Sequence, residues 1–392
     1  MRRPHCPAAT AALAFSLLLG ACSSLPSMNP VDWFGASAPA GPKPSELPVL
    51  SNPQAAKLLW TAGVGASEAF VFVPVLAGDS VYAAARSGNV ARLDAATGQP
   101  VWRISVGTRI SGGVGSDGAL VVVASDEGEV FALEAKSGAL RWRARVSSEV
   151  LAAPKLGDGL VLVRSADSRI FAFGAEDGKR RWVYQRPAAS LIVRSPVGLT
   201  LHQGSAYAGF SGGKLVAISL ANGLPRWETT VALPKGATEL ERVTDIVGDP
   251  SALGREVCTA AYQGRVGCYD ALNGNQLWSR EMSTLTGVAF DARYAFISDD
   301  KGAVHALDRG NGRSIWKQDR LAYRRLSLPL PLGTEVAVGD LQGFVHFLAR
   351  ESGAFLARAA TDGSAIRAAP IRLPDGFLVQ TQNGGLYALN LN

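Results

Sequence analysis

Residues 93–102 read LDAATGQPVW, and the same ten-residue frame returns five times. It appears as LEAKSGALRW at 133–142, FGAEDGKRRW at 173–182, ISLANGLPRW at 218–227, YDALNGNQLW at 269–278 and LDRGNGRSIW at 307–316. In all six copies the glycine stands four residues before the tryptophan. An offset kept through six copies marks one supersecondary unit repeated along the chain. A seventh copy, LARESGAFLA at 348–357, keeps Gly353 but brings Leu356 and Ala357 where the aromatic is due. An eighth, GGLYALN, starts at Gly384 and stops at the last residues.

The missing half of the eighth copy is at the other end of the sequence, where Lys57, Leu58, Leu59 and Trp60 match the strand that closes each unit. A unit shared between both ends makes physical sense in a closed ring, because one terminal sheet then borrows its outer strand and leaves no open edge. Within a copy, short apolar alternation over 69–76, 80–85, 89–95 and 100–106 predicts four strands. Gly78, Gly88 and Gly98 supply the tight turns between them. The expected fold is all-β: an eight-bladed β-propeller of four-stranded antiparallel blades over 56–392, with the last blade closed by the N-terminal strand. WD and kelch repeats fit less well, since neither a Trp-Asp dipeptide nor an in-register Gly-Gly pair recurs. The recurring tryptophan is expected to be core, packed between neighbouring blades, where an indole buries ~150–250 Å².

Composition agrees. Glycine, at 43 of 392 residues, is well above average usage, while charged residues reach only 18%. That excludes a disordered chain, a coiled coil and a histone-like protein. The formal net charge is +6, and Arg2 and Arg3 sit in a leader expected to be removed, so 6 − 2 leaves +4. Such a balance is too small to argue for a nucleic-acid partner.

Residues 1–21 read as a signal peptide: Arg2 and Arg3, an apolar run from Ala8 to Leu19, then small residues before Cys22. Leu19, Gly20, Ala21 and Cys22 resemble the lipobox of bacterial lipoproteins, which implies lipidation of Cys22. Ser23 follows, and the lack of Asp there resembles lipoproteins sorted to the outer membrane. Residues 22–55 carry seven prolines and no apolar period, and read as a tether. Cys6 leaves with the leader, so Cys258 and Cys268 remain in an oxidising compartment. They flank the turn 262–265 on two paired strands, which leaves open a cross-strand disulfide or two small buried thiols.

The motif from Leu93 to Trp102 resembles the repeat of pyrroloquinoline-quinone dehydrogenases, a resemblance that implies fold rather than activity. Those enzymes carry adjacent cysteines over the cofactor and a calcium site; Cys258 and Cys268 are not adjacent. No HExxH, Walker or four-Cys pattern is present, and no catalytic residues, metal or cofactor are assigned. His305 and His346 each follow a repeat glycine by three residues, but equivalent positions on neighbouring blades need not converge on a metal. Asp94, Asp270 and Asp308 recur at one turn position and are expected to bond their own turns. Arg324 and Arg325 are expected on a solvated face.

Leader, lipobox, tether and eight such repeats together resemble the BamB family, the propeller lipoproteins of the outer-membrane β-barrel assembly machinery. Residues 189–195, ASLIVRS, and 238–250, TELERVTDIVGDP, are similar to two family segments outside the repeat motif. The resemblance implies contact with periplasmic domains of the central barrel protein, BamA, through Leu191, Val193, Arg194 and Asp245, with Arg242 a neighbour to test. In this implied arrangement Leu191 and Val193 form an apolar anchor while Arg194 and Asp245 pair charges at the rim. Val247 stands where the family pattern commonly has a second acid, and Asp249 is its substitute. The spacing points to the same region independently: Trp-to-Trp intervals of 42, 40, 40, 45, 51 and 38 put the surplus chain between Trp182 and Trp278. Extra residues in repeat proteins gather in loops on one face, often the binding face. The expected function is a non-enzymatic scaffold, anchored by lipid to the outer membrane on its periplasmic face. It would aid folding and insertion of barrel proteins, with unfolded outer-membrane proteins as further partners. A quinone-dependent periplasmic dehydrogenase and an envelope or polysaccharide binder are the alternatives.

Overall fold

The computed structural model describes residues 42–187 and 191–391, so the leader, Cys22 and residues 23–41 lie outside the described residues. Every regular element among the described residues is a strand, and the strands form eight four-stranded sheets. Blade 1 pairs Val75–Ala77, Ser80–Ala84, Asn89–Asp94 and Pro100–Ser105 in chain order, all antiparallel. Blades 2 to 7 repeat that order, and blade 8 takes Ala56–Gly63 as its outer strand beside Ile371–Leu373, Gly376–Gln380 and Gly385–Leu391. The eight-bladed propeller closed by the N-terminal strand is therefore the observed fold. The first strand of blade 1 is shorter than the alternation over 69–76 predicts. Val73 instead exchanges backbone hydrogen bonds with the neighbouring blade, donating to Gly113 and accepting from Val114, both at 3.1 Å.

The second and third strands of each blade are buried on both faces, with Val81, Val121, Val161 and Ala206 fully enclosed. The outer strand carries a bulge at the same place in every blade. Val101, Arg141 and Leu59 are each the extra residue, directly before the tryptophan. Leu356 is the bulged residue of blade 7, and Ala357 stands at the tryptophan position opposite Phe347.

The tryptophan bridges adjacent blades. Its indole N–H donates to a main-chain carbonyl of the next blade, from Trp60 to Ala95, Trp142 to Ala175 and Trp316 to Arg350, at 2.6–3.0 Å in seven joints. The ring lies against the repeat glycine of that blade's last turn. Gly178 has φ +65°, and a Cβ there would sit 2.6 Å from the Trp142 ring. Glycine is thus required twice over, by its backbone angle and by the indole. Asp94, Asp270 and Asp308 accept amide hydrogen bonds within the same turns, as expected.

The joint between blades 7 and 8 is built differently, since Ala357 cannot reach across it and the last turn of blade 8 is where the two ends of the chain meet. Residues 45–54 run over blade 7 instead. Ser45 N–H donates to Ala322 O, Arg324 Nη1 to Ser45 O, Arg358 Nη2 to Pro48 O, and Gln54 N–H to Leu356 O, at 2.8–2.9 Å. Arg324, expected on a solvated face, is only 2% exposed and forms an ion pair with Asp340 at 2.7 Å. Arg325 beside it does face solvent. The segment read as tether is bound to the ring from Ser45 onward.

Cys258 and Cys268 are direct cross-strand partners in blade 5, fully buried, and the structure joins them as a disulfide. The tryptophan joints generate a stability prediction. Trp142→Ala should destabilise the ring by ~3–5 kcal/mol, and Gly178→Ala should lower the melting temperature as well although it adds only a methyl group. A calorimetric scan in which Gly178→Ala melts like wild type would contradict the joint.

Candidate functional site

A propeller has two faces, and hydrogen bonding assigns the loops to them. Among the described residues, seven of the eight connections between blades bond the turn between the second and third strands, as in Val106 N–H to Gly88 O at 3.0 Å and Val231 N–H to Gly213 O at 2.8 Å, and the blade 3 to 4 connection leaves from the same end of its outer strand. The glycine turns that receive tryptophan lie at the other end of the third strand, hence on the opposite face. The surplus residues between Trp182 and Trp278 fall in the connections from blade 3 to 4, residues 186–198, and from blade 4 to 5, residues 231–245. Both belong to the connection face. Residues 188–190 of the first connection lie outside the described residues.

Leu191, at 44% exposure, and Ile192 beside it point apolar side chains into solvent, and Leu233 and Leu240 do so from the second connection. Leu285 adds another from the connection between blades 5 and 6. Large exposed apolar groups are a common property of docking surfaces, and the opposite face also carries them, at Leu224 and Leu272 in the glycine turns of blades 4 and 5. Val193 is half-buried, so the apolar pair presented to solvent is Leu191 with Ile192 rather than Leu191 with Val193. Arg194 makes a forked contact with Glu149, Nη2 to Oε2 at 2.7 Å, and its guanidinium sits 5.5 Å from the Phe70 ring centroid. Its side chain remains 56% exposed.

Asp245 has a different position from the one expected. It is 6% exposed, and its two oxygens accept from Val193 N–H at 2.6 Å and Gly212 N–H at 3.3 Å. It fastens the 191–195 loop to blades 4 and 5 from inside, and does not pair charges at the rim. Burial raises its pKa above the usual carboxylate range, opposed by those two amides and by the charge of Arg164. Val247 is fully buried in the innermost strand of blade 5. Asp249 reaches the site, accepting from Gly198 N–H at 2.8 Å and pairing with Lys155 at 2.7 Å. Arg242 is exposed on the second connection.

Beneath the loop lies a cavity of about 180 Å³, with Leu151, Val193, Val197, Phe210 and Ile246 on its walls and Arg164 within it. Sequence reasoning passed over Arg164 and Ile192. A signal for Arg164 was present, because the sister repeats hold uncharged residues at the same register position, Ala84, Ala124, Gly209, Ala260 and Gly339 in five of them and Ser298 and Gln380 in the other two.

Elsewhere, His305 pairs with Asp299 and His346 with Asp340, each at 2.9 Å and each within its own blade. The two histidines serve separate blades. Burial lowers the pKa of His346, which accepts at Nδ1 from Arg358 at 3.4 Å and so carries its proton at Nε2. Among the described residues no cluster of three His, Cys, Asp or Glu side chains is placed to hold a metal.

A family model described as "Outer membrane protein assembly factor BamB" matches residues 86–318. The outer membrane protein assembly factor BamB of Burkholderia pseudomallei is 42% identical over 388 residues, which cover 99% of this chain and 98% of that protein. The crystal structure of BamB from Moraxella catarrhalis matches with a TM-score of 0.79 at 26% identity, covering 86% of this chain and 100% of that one. The quinohemoprotein alcohol dehydrogenase from Comamonas testosteroni shares the fold, with a TM-score of 0.67 at 13% identity over 85% of this chain and 76% of its own.

Asp245→Ala removes the acceptor of two amides and should cost ~1–3 kcal/mol. Hydrogen exchange at the Val193 amide should accelerate with it. Unchanged exchange at Val193 would show that the loop is held by something else.

Proposed function

The chain belongs to the BamB family of outer membrane protein assembly factors, and from that premise we propose that it is a scaffold docking through its connection face on periplasmic domains of the central barrel protein, BamA. The family is one of assembly factors and not of enzymes. The observation that carries the docking reading is the loop 191–195, which exposes Leu191, Ile192 and Arg194 while Asp245 holds its backbone. An interface of this kind is governed by a few apolar anchors and by rim charges that orient the partner. A loop fixed before the encounter loses less conformational entropy on binding than a free one. Bound to the assembly machine, the protein would help align unfolded outer-membrane proteins for folding and insertion.

In the same proposal, lipid on Cys22 holds the chain to the periplasmic face of the outer membrane. Stable anchoring takes more than one acyl chain. The tether would then meet the ring at Ser45, since residues 45–54 are bonded to blade 7.

Capture from detergent-solubilised envelopes tests the docking reading. The tagged wild-type chain should recover a large barrel protein, and a Leu191→Asp, Arg194→Glu variant should lose it without a lower melting temperature, both side chains being exposed. Equal recovery by a folded variant removes the loop from the interface. Failure of wild type to recover any barrel protein removes the reading itself.

A further inference from the structure

The cavity under the 191–195 loop contains an arginine with unspent hydrogen-bonding capacity. Arg164 lies on the second strand of blade 3, Leu160–Ser165, over the Phe210 ring with 4.8 Å to its centroid. Its one hydrogen bond among the described residues runs from Nη1 to Gly198 O at 3.3 Å. A guanidinium has five N–H donors. Three carboxylates stand near, and none accepts a hydrogen bond from it: Asp245 accepts from the amides of Val193 and Gly212, Asp249 from Gly198 N–H and pairs with Lys155, and Glu149, on the cavity wall, pairs with Arg194. Burial pushes the Arg164 pKa down to about 10, with the charges of Asp249 and Asp245 acting the other way, so the group stays cationic at neutral pH. On the same cavity wall the Ser195 hydroxyl is buried without a partner among the described residues.

We propose that this cavity receives one carboxylate side chain of the protein that docks on the connection face, with Arg164 as its counter-charge. This inference rests on the docking reading above. A space of about 180 Å³ admits a side chain and little more. The apolar walls formed by Val193, Val197 and Phe210 suit the methylenes of the incoming residue. Its carboxylate meets a forked donor that can bond both oxygens, and the Ser195 hydroxyl stands on the same wall. An apolar plug would do the opposite, sealing a cation from water with its donors unmet, which is costly. Arg164 therefore selects an acidic anchor, while Leu191 and Ile192 supply unselective apolar contact around it.

The test uses the full-length chain in detergent, titrated with purified BamA from the same cells over a range of salt concentrations. Arg164→Met should weaken binding ~10- to 100-fold and flatten its salt dependence, with Arg164→Lys recovering part of the loss. Ser195→Asp keeps the arginine but fills the cavity with the chain's own carboxylate, and it should weaken binding at an unchanged melting temperature. One Asp or Glu of the partner, replaced by Gln, should then add nothing to the loss already caused by Arg164→Met. If wild type binds and both Arg164→Met and Ser195→Asp bind equally well, the acidic anchor is overturned while the docking face stands. If wild type does not bind at any salt concentration, the docking reading falls and this inference with it. Should Arg164→Met fail to fold, Ser195→Asp decides the question.

Discussion

An indole lying on a glycine turn of the next blade is the contact on which the ring depends. It joins two blades that share no strand pairing, through apolar area and a single N–H to carbonyl bond. The tryptophan needs its glycine, because any Cβ at Gly178 or Gly274 would come within 2.6 Å of the Trp142 or Trp227 ring. Asp94, Asp270 and Asp308 accept amides within the same turns, while Gly353 keeps its positive φ with Ala349 at that position. A ten-residue frame such as LDAATGQPVW therefore contains one half of each of two joints: its glycine receives one tryptophan, and its own tryptophan reaches onward.

That logic also accounts for the departure at blade 7. A tryptophan at position 357 would find no glycine turn, since the turn of blade 8 is where the strands Gly385–Leu391 and Ala56–Gly63 come from opposite ends of the chain. Small Ala357 fills the core there, and the polar strap of residues 45–54 crosses the outside. Arg324 and Arg358 each hold one strap carbonyl, and Asp340 neutralises Arg324 from below. Blades 3 to 5, which carry the exposed loops, keep the tryptophan joint at every step, so the face proposed for docking stands on the regular part of the ring.

The fold was legible because the repeat is stated six times with one spacing, and a permuted eighth copy implies closure. The site was legible only in outline. Surplus chain between Trp182 and Trp278 located the face, and the likeness to the BamB family singled out Leu191, Val193, Arg194 and Asp245. What the sequence did not reveal was which way side chains turn within an irregular loop. Without a strand's alternation nothing distinguishes exposed Ile192 from half-buried Val193, and an acid such as Asp245 looks the same whether it faces a partner or its own backbone. Arg324 was misjudged for the same reason: a charged residue in a connection reads as solvated until its buried partner, Asp340, is seen. Arg164 was different, since it is the one charged residue at a repeat position otherwise held by Ala, Gly, Ser and Gln.

In the proposed function the loops between blades 3, 4 and 5 form the working surface, on the face opposite the glycine turns that receive tryptophan. Hydrogen–deuterium exchange of the full chain, alone and in complex with the barrel protein, addresses this directly. Exchange should slow at residues 191–197 and 233–245 on complex formation and stay unchanged in the glycine turns that receive tryptophan. Protection confined to those turns, or to the outer strands, would place the partner elsewhere and contradict the account.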